Sequence, residues 1–388
     1  MDIEQLRHDT PACARLIHFN NAGAALSPQA VTTSVIEHLQ LEQQVGGYEA
    51  AARASGQLEQ FYHAIAGLLN CNPREIAYAE NASRGWNHLL HAIPFEPGDR
   101  ILTGQSEYAS NYLSLLHFAR QKQIGIEVIE NGDDGRIDLE QLRQRLDSDV
   151  RLIALTHVAS QSGVVQPAQA VGRLARQHRI FYLLDASQSA GQCPLDVTEL
   201  QCDMLVGTGR KYLRGPRGTG FLYVRNAIVE YLEPATVELH TVDWRSAHSY
   251  RIRDDARRFE SWESNVAGKI GLGVAADYAV RTGIPASAER IRQLAAHLRS
   301  ALRSIPGIQV HEPDTDQLCG LVTFSSEHES AQALHERLQE RGINSSVTRR
   351  AATLLDFDRR GLNDINRASL HYYNTEEEIT AFCGQLER

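Results

Sequence analysis

FYLLDASQSAG (residues 181–191) and GTGRKYLRGPRGTGFLYV (residues 207–224) are the stretches of sequence that decide the fold. The first begins as an apolar strand that ends at Asp185. The second follows another apolar strand and brings Lys211 just past its end. In open α/β sheets, ligands bind outside the carboxyl ends of the strands. We therefore expect two neighbouring strands to deliver the Asp185 carboxylate and the Lys211 amine to one crevice.

Strands and helices alternate on both sides of these stretches, which predicts an α/β fold with a mostly parallel central sheet. After about residue 265 the sequence changes to long helices and short strands, with a last strand predicted at 368–372. We expect three parts. An N-terminal segment (1–20) packs on the small domain, and a large domain (21–265) binds the ligand of this crevice. The last part (266–388) consists of linking helices and a smaller C-terminal α+β domain.

The composition excludes several classes of protein. A formal net charge of −9 argues against general affinity for nucleic acid, which needs a basic face. No apolar run of roughly 18 residues is present to span a membrane, and the polar, acidic N-terminus lacks the pattern of a secretory signal. The six cysteines lack the spacing of a zinc site or of a secreted disulfide framework. We expect a cytoplasmic protein without a bound metal.

Lysine is rare in this chain, which narrows the search for a catalytic amine to Lys122, Lys211 and Lys269. Pyridoxal 5'-phosphate requires a lysine for its Schiff base and an acid that pairs with its pyridinium nitrogen, and Lys211 with Asp185 supplies both. Taken singly, Lys211 is also consistent with a solvated loop and Asp185 with a cap of the following turn. Nucleotide binding is a weaker alternative, because the sequence has no P-loop and no GxGxxG turn.

Several blocks of the sequence resemble a known family. Besides the two stretches quoted above, these are RASLHYYNTEEEI (residues 367–379), FNNAG (residues 19–23) and residues 79–87. Together they resemble the class V aminotransferases, the cysteine desulfurase-like group of fold-type I pyridoxal-phosphate enzymes. The resemblance covers nearly the whole chain. It implies a fold-type I transferase fold, pyridoxal phosphate as cofactor and a homodimer with shared active sites.

The same resemblance assigns roles to individual residues. Lys211 matches the lysine that carries the cofactor as a Schiff base, and Asp185 matches the partner of the pyridinium nitrogen. Arg367 matches the arginine that binds the substrate α-carboxylate, and Asn20 is a further substrate-binding candidate. The remaining cofactor-binding candidates are Ser83, Arg84, Tyr108, Gln188, Thr208, Arg210, Ser264 and Asn265.

Most of these candidates are expected around the cofactor phosphate. Ser83 falls at a predicted helix N-terminus, where anions bind. Thr208 matches a second phosphate-binding hydroxyl, and Arg210 replaces the histidine that commonly precedes the lysine. Ser264 or Asn265 occupies the place where the family reaches the phosphate of the neighbouring subunit.

Two candidates are expected at the cofactor ring. Tyr108 falls where desulfurases stack a histidine on the ring, and Gln188 matches the residue that hydrogen-bonds the phenolic oxygen. Structural alternatives exist for each assignment. Tyr108 is also consistent with a packing aromatic, Gln188 with a partner for backbone groups in its turn, Ser83 with a helix N-cap and Arg367 with a surface strand arginine.

The chain departs from the desulfurases at the sulfur-accepting position. Those enzymes take up sulfur on a cysteine in a loop shortly before the position of Arg367, but residues 320–373 contain no cysteine. Cys319 lies too far upstream, and Cys383 falls in the last predicted helix. A persulfide-forming desulfurase is therefore not expected.

The leading hypothesis is an enzyme that acts on a small amino acid through an external aldimine and Cα deprotonation. A sulfur leaving group then departs by β-elimination, which makes the protein a C–S lyase. The same residues would support an aminotransferase or an epimerase. A non-catalytic protein that binds the cofactor is the third alternative, and the joint presence of Lys211, Asp185, Gln188 and Arg367 argues against it.

Overall fold

A computed structural model describes residues 1–313 and 315–387 of the chain. The strands of these residues are, in chain order, β1 (Ile17–His18), β2 (Ile76–Ala79), β3 (Arg100–Gly104), β4 (Gly125–Ile129), β5 (Val150–Thr156), β6 (Phe181–Asp185), β7 (Met204–Thr208), β8 (Gly220–Val224), β9 (Val242–Ser246), β10 (Ser249–Ile252), β11 (Ile308–Val310), β12 (Leu321–Ser326), β13 (Ile343–Asn344), β14 (Ser346–Thr348) and β15 (Ile365–Ser369).

The helices of the same residues are α1 (Ile3–His8), α2 (Asn21–Ala24), α3 (Gln29–Val45), α4 (Gly47–Arg53), α5 (Ser55–Leu69), α6 (Ala82–Ala92), α7 (Ala109–Lys122), α8 (Leu139–Gln144), α9 (Ala168–His178), α10 (Val197–Leu200), α11 (Val266–Thr282), α12 (Ile284–Arg303), α13 (Ala331–Glu340), α14 (Leu354–Arg360) and α15 (Glu376–Gly384). Short 3₁₀ turns lie at Pro11–Ala14, Pro73–Glu75, Asn226–Tyr231, Ala256–Phe259 and Arg350–Ala352. None of these described helices has both the length and the apolar content needed to cross a membrane.

A seven-stranded sheet forms the centre of the large domain, in the order β2-β8-β7-β6-β5-β3-β4. Its hydrogen-bonded neighbours are parallel except for those made by β8, which runs antiparallel to β2 and β7. The strands β5 to β8 are almost continuously apolar, as expected for strands buried on both faces. Asp185 lies at the end of β6 opposite Val206 of β7. The predicted α/β architecture with a mostly parallel central sheet is confirmed.

Helices cover both faces of this sheet and enclose two apolar cores. One core contains Phe61 of α5, Leu174 of α9 and Leu272 of α11. The other contains Trp86 of α6 and Phe118 of α7. Successive residues of β7 alternate between the two cores, as the side chains of a strand do. Although α11 lies in the part predicted to link the domains, it packs with the large domain.

A four-stranded antiparallel sheet, β11-β12-β15-β14, forms the small domain. Its core contains Phe324 and Phe382. The N-terminal segment joins this domain, because β1 pairs with β13 and the ring of Phe19 lies 5.3 Å from that of Phe382. Arg7 of α1 forms an ion pair with Glu378 at 2.8 Å. The first twenty residues thus contact the small domain at two places.

The last strand ends earlier than the sequence predicts. A strand is predicted at 368–372, but β15 ends at Ser369, so the second half of that prediction is wrong. The rings of Tyr372 and Tyr373 leave the sheet and lie 5.4 and 4.7 Å from the buried Arg214 guanidinium. An aromatic run has the composition of a strand, yet here it packs around a charged group between the domains.

Neither β2 nor the β9–β10 hairpin was predicted. The strand β2 is short and half alanine, so it gives little strand signal. The antiparallel β9–β10 hairpin is largely exposed and polar, without the Gly-containing turn that usually marks a hairpin.

Candidate active site

A cavity of about 190 Å³ opens at the carboxyl ends of β5, β6 and β7, the edge at which open α/β sheets bind ligands. The N-terminus of α6 forms another wall. Seven of the residues predicted from the sequence line it, namely Ser83, Tyr108, Asp185, Gln188, Thr208, Arg210 and Lys211. The other lining residues are Asn81, Ala82, Thr156, Val158, Ser160 and Ser187.

Asp185 is buried and held at both carboxylate oxygens. Its Oδ1 accepts a hydrogen bond from the backbone N–H of Ser187 (2.8 Å), and its Oδ2 accepts one from the side-chain amide of Asn111 (2.8 Å). Hydrogen bonds to a charged group fix its orientation as well as stabilise it. The cavity therefore receives a carboxylate in a fixed orientation, as pairing with a pyridinium nitrogen requires.

Lys211 is buried, with 8% of its surface exposed, and its ammonium makes no hydrogen bond with the residues that the structure describes. Burial lowers the pKa of Lys211 to about 7, the charge of Asp185 opposes this shift, and Arg210 and Arg367 add to it. Near neutral pH much of the amine is therefore uncharged. An uncharged amine is the state that attacks a carbonyl group.

The N-terminus of α6 offers an anion-binding site. Asn81 caps the helix by accepting from the N–H of Arg84 (2.9 Å), and its carbonyl accepts from the N–H of Gly85 (3.1 Å). The N–H groups of Ala82 and Ser83 have no acceptor in the described part of the chain. Since both residues line the cavity, unpaired backbone donors and the helix dipole favour an anion there.

The Arg210 guanidinium is held at the other side of the same cavity. It donates a short hydrogen bond to the carbonyl of Gly23, and burial lowers the pKa of Arg210. The Thr208 hydroxyl donates to the carbonyl of Thr219 at 3.4 Å. Two of the predicted phosphate-binding groups thus lie in one cavity with Ser83.

Two buried polar atoms beside Asp185 have no hydrogen-bond partner among the described residues. These are Oε1 of Gln188 and the hydroxyl of Ser187, both on residues that line the cavity. The amide nitrogen of Gln188 donates to the carbonyl of Ala22 (3.1 Å). Buried polar groups are nearly always paired, so these atoms point to a polar ligand in the cavity. The ring of Tyr108 lies 5.9 Å from the Lys211 ammonium.

Arg367 reaches the rim of the cavity from β15 of the small domain. Its Nη1 donates to the carbonyl of Ser160 (2.9 Å), which lines the cavity, and its Nη2 lies 3.5 Å from Oδ1 of Asn20. Burial lowers the pKa of Arg367 to about 10. Its Nε has no partner, and no carboxylate of the described residues pairs with it. A buried guanidinium without a carboxylate partner among the described residues is suited to bind a carboxylate ligand.

Three of the predicted cofactor-binding residues lie elsewhere. The side chain of Arg84 lines a separate surface cavity. Ser264 and Asn265 line another, beside the exposed Tyr48 and Trp262. Asn265 also caps α11, where its side-chain oxygen accepts from the N–H of Gly268 at 2.8 Å. Within one chain these residues do not reach the cavity of Asp185 and Lys211.

Sequence reasoning missed several polar residues of the cavity. Thr156 is the last residue of β5, Ser160 follows β5 and Asn81 follows β2, so the strand-end rule applied to every strand would have found them. Asn111 lies on α7 and Ser187 donates its backbone N–H to Asp185. Neither contact has a sequence signal, because each depends on how separate elements pack.

None of the cavity-lining residues in the described chain is a cysteine. Cys319 is buried and Cys193 is half-buried, and loss of solvent around them raises the pKa of both thiols. A thiol with a raised pKa is a poor nucleophile.

Comparisons with known proteins agree with this architecture. A family model described as Aminotransferase class-V matches residues 17–382. A probable cysteine desulfurase of Methanothermobacter thermautotrophicus is 28% identical over 393 residues, covering 100% of this chain and 98% of the relative. The apo structure of a cysteine desulfurase from Thermococcus onnurineus matches with a TM-score of 0.92 at 26% identity, covering 99% of this chain and 97% of that chain. A complex of a cystine C–S lyase with its product cysteine persulfide shares the fold, with a TM-score of 0.87 at 24% identity and coverage of 97% and 98%.

Proposed function

The chain belongs to the class-V aminotransferase family, and on this premise we propose that it is a pyridoxal-phosphate-dependent lyase that cleaves a C–S bond of an amino acid by β-elimination. One observation carries the proposal. An amine whose pKa is lowered to about 7 and a fixed carboxylate, Lys211 and Asp185, line one cavity at the ends of neighbouring strands. The relatives named cysteine desulfurase act on sulfur, which favours a sulfur-containing substrate.

The cavity has the groups that pyridoxal phosphate requires. Ser83, Thr208 and Arg210 would bind the phosphate at the N-terminus of α6, where backbone N–H groups have no acceptor among the described residues. Tyr108 would contact the ring, and Gln188, whose Oε1 has no partner in the described chain, would bind the phenolic oxygen. When bound, the cofactor supplies an electron sink for the negative charge that develops at the substrate Cα.

Three residues carry the reaction. Lys211 would hold the cofactor through Nζ, and its amine accepts the proton from the substrate Cα. A base with a pKa near the working pH is best suited to this transfer. Asp185 would pair with the ring nitrogen of the cofactor and keep it protonated. Arg367 binds the α-carboxylate and so orients the Cα–H bond toward Lys211.

The sulfur leaves with the product and not on the protein, because the lining residues of the described chain include no cysteine. Lys211 removes the Cα proton, and the Cβ–S bond breaks with its electron pair on sulfur, which takes up a proton. Water then adds to the remaining three-carbon unit. The products are a thiol or persulfide, pyruvate and ammonia.

Product analysis tests the reaction type. The purified holoenzyme is mixed with L-cystine or an S-alkyl cysteine, and pyruvate, ammonia and the sulfur product, a persulfide or a thiol respectively, are measured. We expect the three products in equal amounts over many turnovers. A keto acid formed once per active site together with pyridoxamine phosphate would identify an aminotransferase, and racemised substrate would identify an epimerase. Either result excludes the lyase.

The carboxylate-binding role of Arg367 has a separate test. Arg367→Ala removes the buried guanidinium that pairs with no carboxylate among the described residues. Because a hydrogen bond to a charged group contributes about 1.5–3 kcal/mol, KM for the amino acid should rise about 10- to 100-fold. The dissociation constant of pyridoxal phosphate should stay close to that of the wild type. An unchanged KM contradicts the role.

We further propose a homodimer with shared sites, in which Ser264 or Asn265 reaches the phosphate of the second copy. Both residues line a surface cavity whose aromatic neighbours, Tyr48 and Trp262, are 73% and 57% exposed. Exposed aromatic residues in one patch are typical of protein contacts.

Subunit mixing tests the shared site. Ser264→Asp places a negative charge against the phosphate, and Lys211→Ala removes the amine. Mixed dimers of these two inactive variants should regain activity, because one of their two sites contains only wild-type residues. If the mixed dimers remain inactive, or if light scattering shows a monomer, the proposal is contradicted. The cytoplasmic location expected from the cysteine pattern stays a prediction.

A further inference from the structure

A second carboxyl group, Glu107, lies behind Asp185 and takes no part in the mechanism described above. It is buried between β3 and α7. Its Oε1 accepts from the backbone N–H of Tyr108 (2.9 Å), the amide of Asn111 (3.0 Å) and, through a short hydrogen bond, the hydroxyl of Thr156. Three residues after the end of β3, the chain therefore places an acid within the wall of the site.

The side chain of Asn111 joins this acid to Asp185. Its Nδ2 donates to Oε1 of Glu107 (3.0 Å) and to Oδ2 of Asp185 (2.8 Å). A primary amide carries two N–H groups, so each carboxyl group receives one. Asn111 is buried, with 2% of its surface exposed. The orientation of the Asp185 carboxylate is thereby tied to the position of α7 and to Glu107.

The groups around Glu107 are mostly uncharged. Thr103 of β3, Thr156 of β5 and Asn111 of α7 face it with hydroxyl or amide groups. The titratable groups that face it are Asp185 and Tyr182, both from β6. Burial raises the pKa of Glu107 to about 7, its hydrogen bonds oppose this shift, and the charge of Asp185 adds to it. The charge behind Asp185 thus changes within the neutral pH range.

We propose that Asn111 and Glu107 are positioning residues for the cofactor ring: Asn111 fixes the Asp185 carboxylate, and Glu107, through Asn111, sets the charge behind it. This inference rests on the proposed function, since it assigns Asp185 to the pyridine nitrogen. A negative charge on Glu107 strengthens the hold of Asp185 on the ring proton, and a neutral Glu107 weakens it. Asn111 and Glu107 act on the ring nitrogen through Asp185, and neither contacts a substrate atom.

Two variants separate orientation from charge. Glu107→Gln keeps an oxygen for Asn111, Tyr108 and Thr156 but removes the charge. Asn111→Ala keeps both acids but breaks the link between them. Ser114→Ala is the matched control, because Ser114 lies on the same helix and its hydroxyl donates only to the carbonyl of Ser110 (2.9 Å).

The holoenzymes are compared in three measurements, namely kcat and KM for the lyase substrate, the pH titration of the visible absorption, and the dissociation constant of pyridoxal phosphate. Asn111→Ala should lower kcat about 10- to 100-fold with KM within about 3-fold of wild type. Glu107→Gln should move the pH midpoint of the absorption change by at least about half a unit. The Ser114→Ala control should match wild type in all three.

An absorption midpoint in Glu107→Gln equal to that of the control overturns the proposal, as does a kcat of Asn111→Ala equal to the control. A purely structural role would lower the melting temperature of both variants and leave the absorption midpoint unmoved, which also overturns it. If the wild-type protein binds no pyridoxal phosphate, the proposed function fails, and the inference fails with it. Binding of the cofactor without lyase activity removes only the reaction type, because the absorption titration still decides the inference.

Discussion

Lys211 and Lys269 are both 8% exposed in the large domain, yet their surroundings are opposite. The Lys269 ammonium lies 2.5 Å from the Tyr62 hydroxyl and 3.5 Å from the Glu260 carboxylate. The Lys211 ammonium faces a cavity and has no hydrogen-bond partner within the described chain. Burial alone therefore does not identify a reactive lysine. A buried amine that lacks a partner and borders an open cavity does.

The buried carboxyl groups of the two regions differ in the same way. Burial would raise the pKa of Glu260, but the hydrogen bond from His240, the charge of Lys269 and the N–H of Tyr78 bring it below its usual value. Around Glu107 the balance is reversed, and burial raises its pKa to about 7. The Lys269 region holds paired charges that support the fold. The cavity region holds groups whose protonation changes near neutral pH.

Removal of each lysine should separate the two regions most clearly. Lys211→Ala removes the group that holds the cofactor and the Cα proton, so kcat should fall by at least about 10³-fold and the visible absorption band should be lost. The melting temperature should not fall, because the deleted ammonium made no hydrogen bond with any described residue. Absorption spectra, pyruvate assays and thermal melts measure these effects. A retained visible band would place the cofactor on another lysine.

Asp185→Asn tests whether position on the sheet decides the role of an acid. Loss of the charge that holds the ring proton should lower kcat by about 10²- to 10³-fold, while the cofactor still binds through its phosphate. Asp203→Asn is the control, since Asp203 precedes β7 at the opposite edge and pairs with Arg225 (2.6 Å). That change should lower stability and leave kcat unaltered. Equal losses of kcat in both variants would remove the role given to Asp185.

Residues that follow the ends of strands could be predicted from the sequence. Contacts between side chains of separate elements could not, because they depend on how those elements pack. Asp185 and Lys211 follow apolar strands, and the strands proved to be neighbours. Lys269 gave no signal of its ion pair, because Glu260 and Tyr62 come from other elements of the fold. Asn111 was missed for the same reason. The second half of the strand predicted at 368–372 was wrong, because aromatic residues in sequence do not reveal whether they extend a sheet or surround an arginine.

Lys269→Met should act on stability and not on chemistry. It leaves the Glu260 carboxylate buried without its cation, which costs about 3 kcal/mol in the free energy of unfolding. The value of kcat measured well below the melting temperature should equal that of the wild type. Lys122→Met is the control, because Lys122 is exposed on α7 and should change stability by less than about 0.5 kcal/mol. A loss of kcat in Lys269→Met at temperatures where it is folded would show that the two regions are coupled.

Glu107→Gln should produce the smallest effect, and one that depends on pH. The folded pKa of about 7 lies above the ordinary value of 4.5, so the folded protein binds this proton more tightly than the unfolded chain. The contribution of Glu107 to the free energy of unfolding is largest below about pH 4.5. It decreases as the pH rises from about 4.5 to about 7 and does not change further above that value. Glutamine carries no charge at any of these values. The variant should therefore gain stability over the wild type between about pH 5 and 7, by at most about 3 kcal/mol.

Denaturant unfolding of cofactor-free protein at intervals from pH 5 to pH 8 measures this difference. Comparison with wild type at each pH cancels the titration of every other group, which makes the variant sensitive to Glu107 alone. For Glu260→Gln the difference from wild type should stay constant between pH 5 and pH 8, because a carboxyl group with a lowered pKa loses its stabilisation only as the pH falls below the ordinary value of about 4.5. A difference between Glu107→Gln and wild type that does not change with pH would mean that Glu107 is ionised throughout. In that case the two buried carboxyl groups would behave alike, and the contrast between the paired region and the cavity would rest on the lysines only.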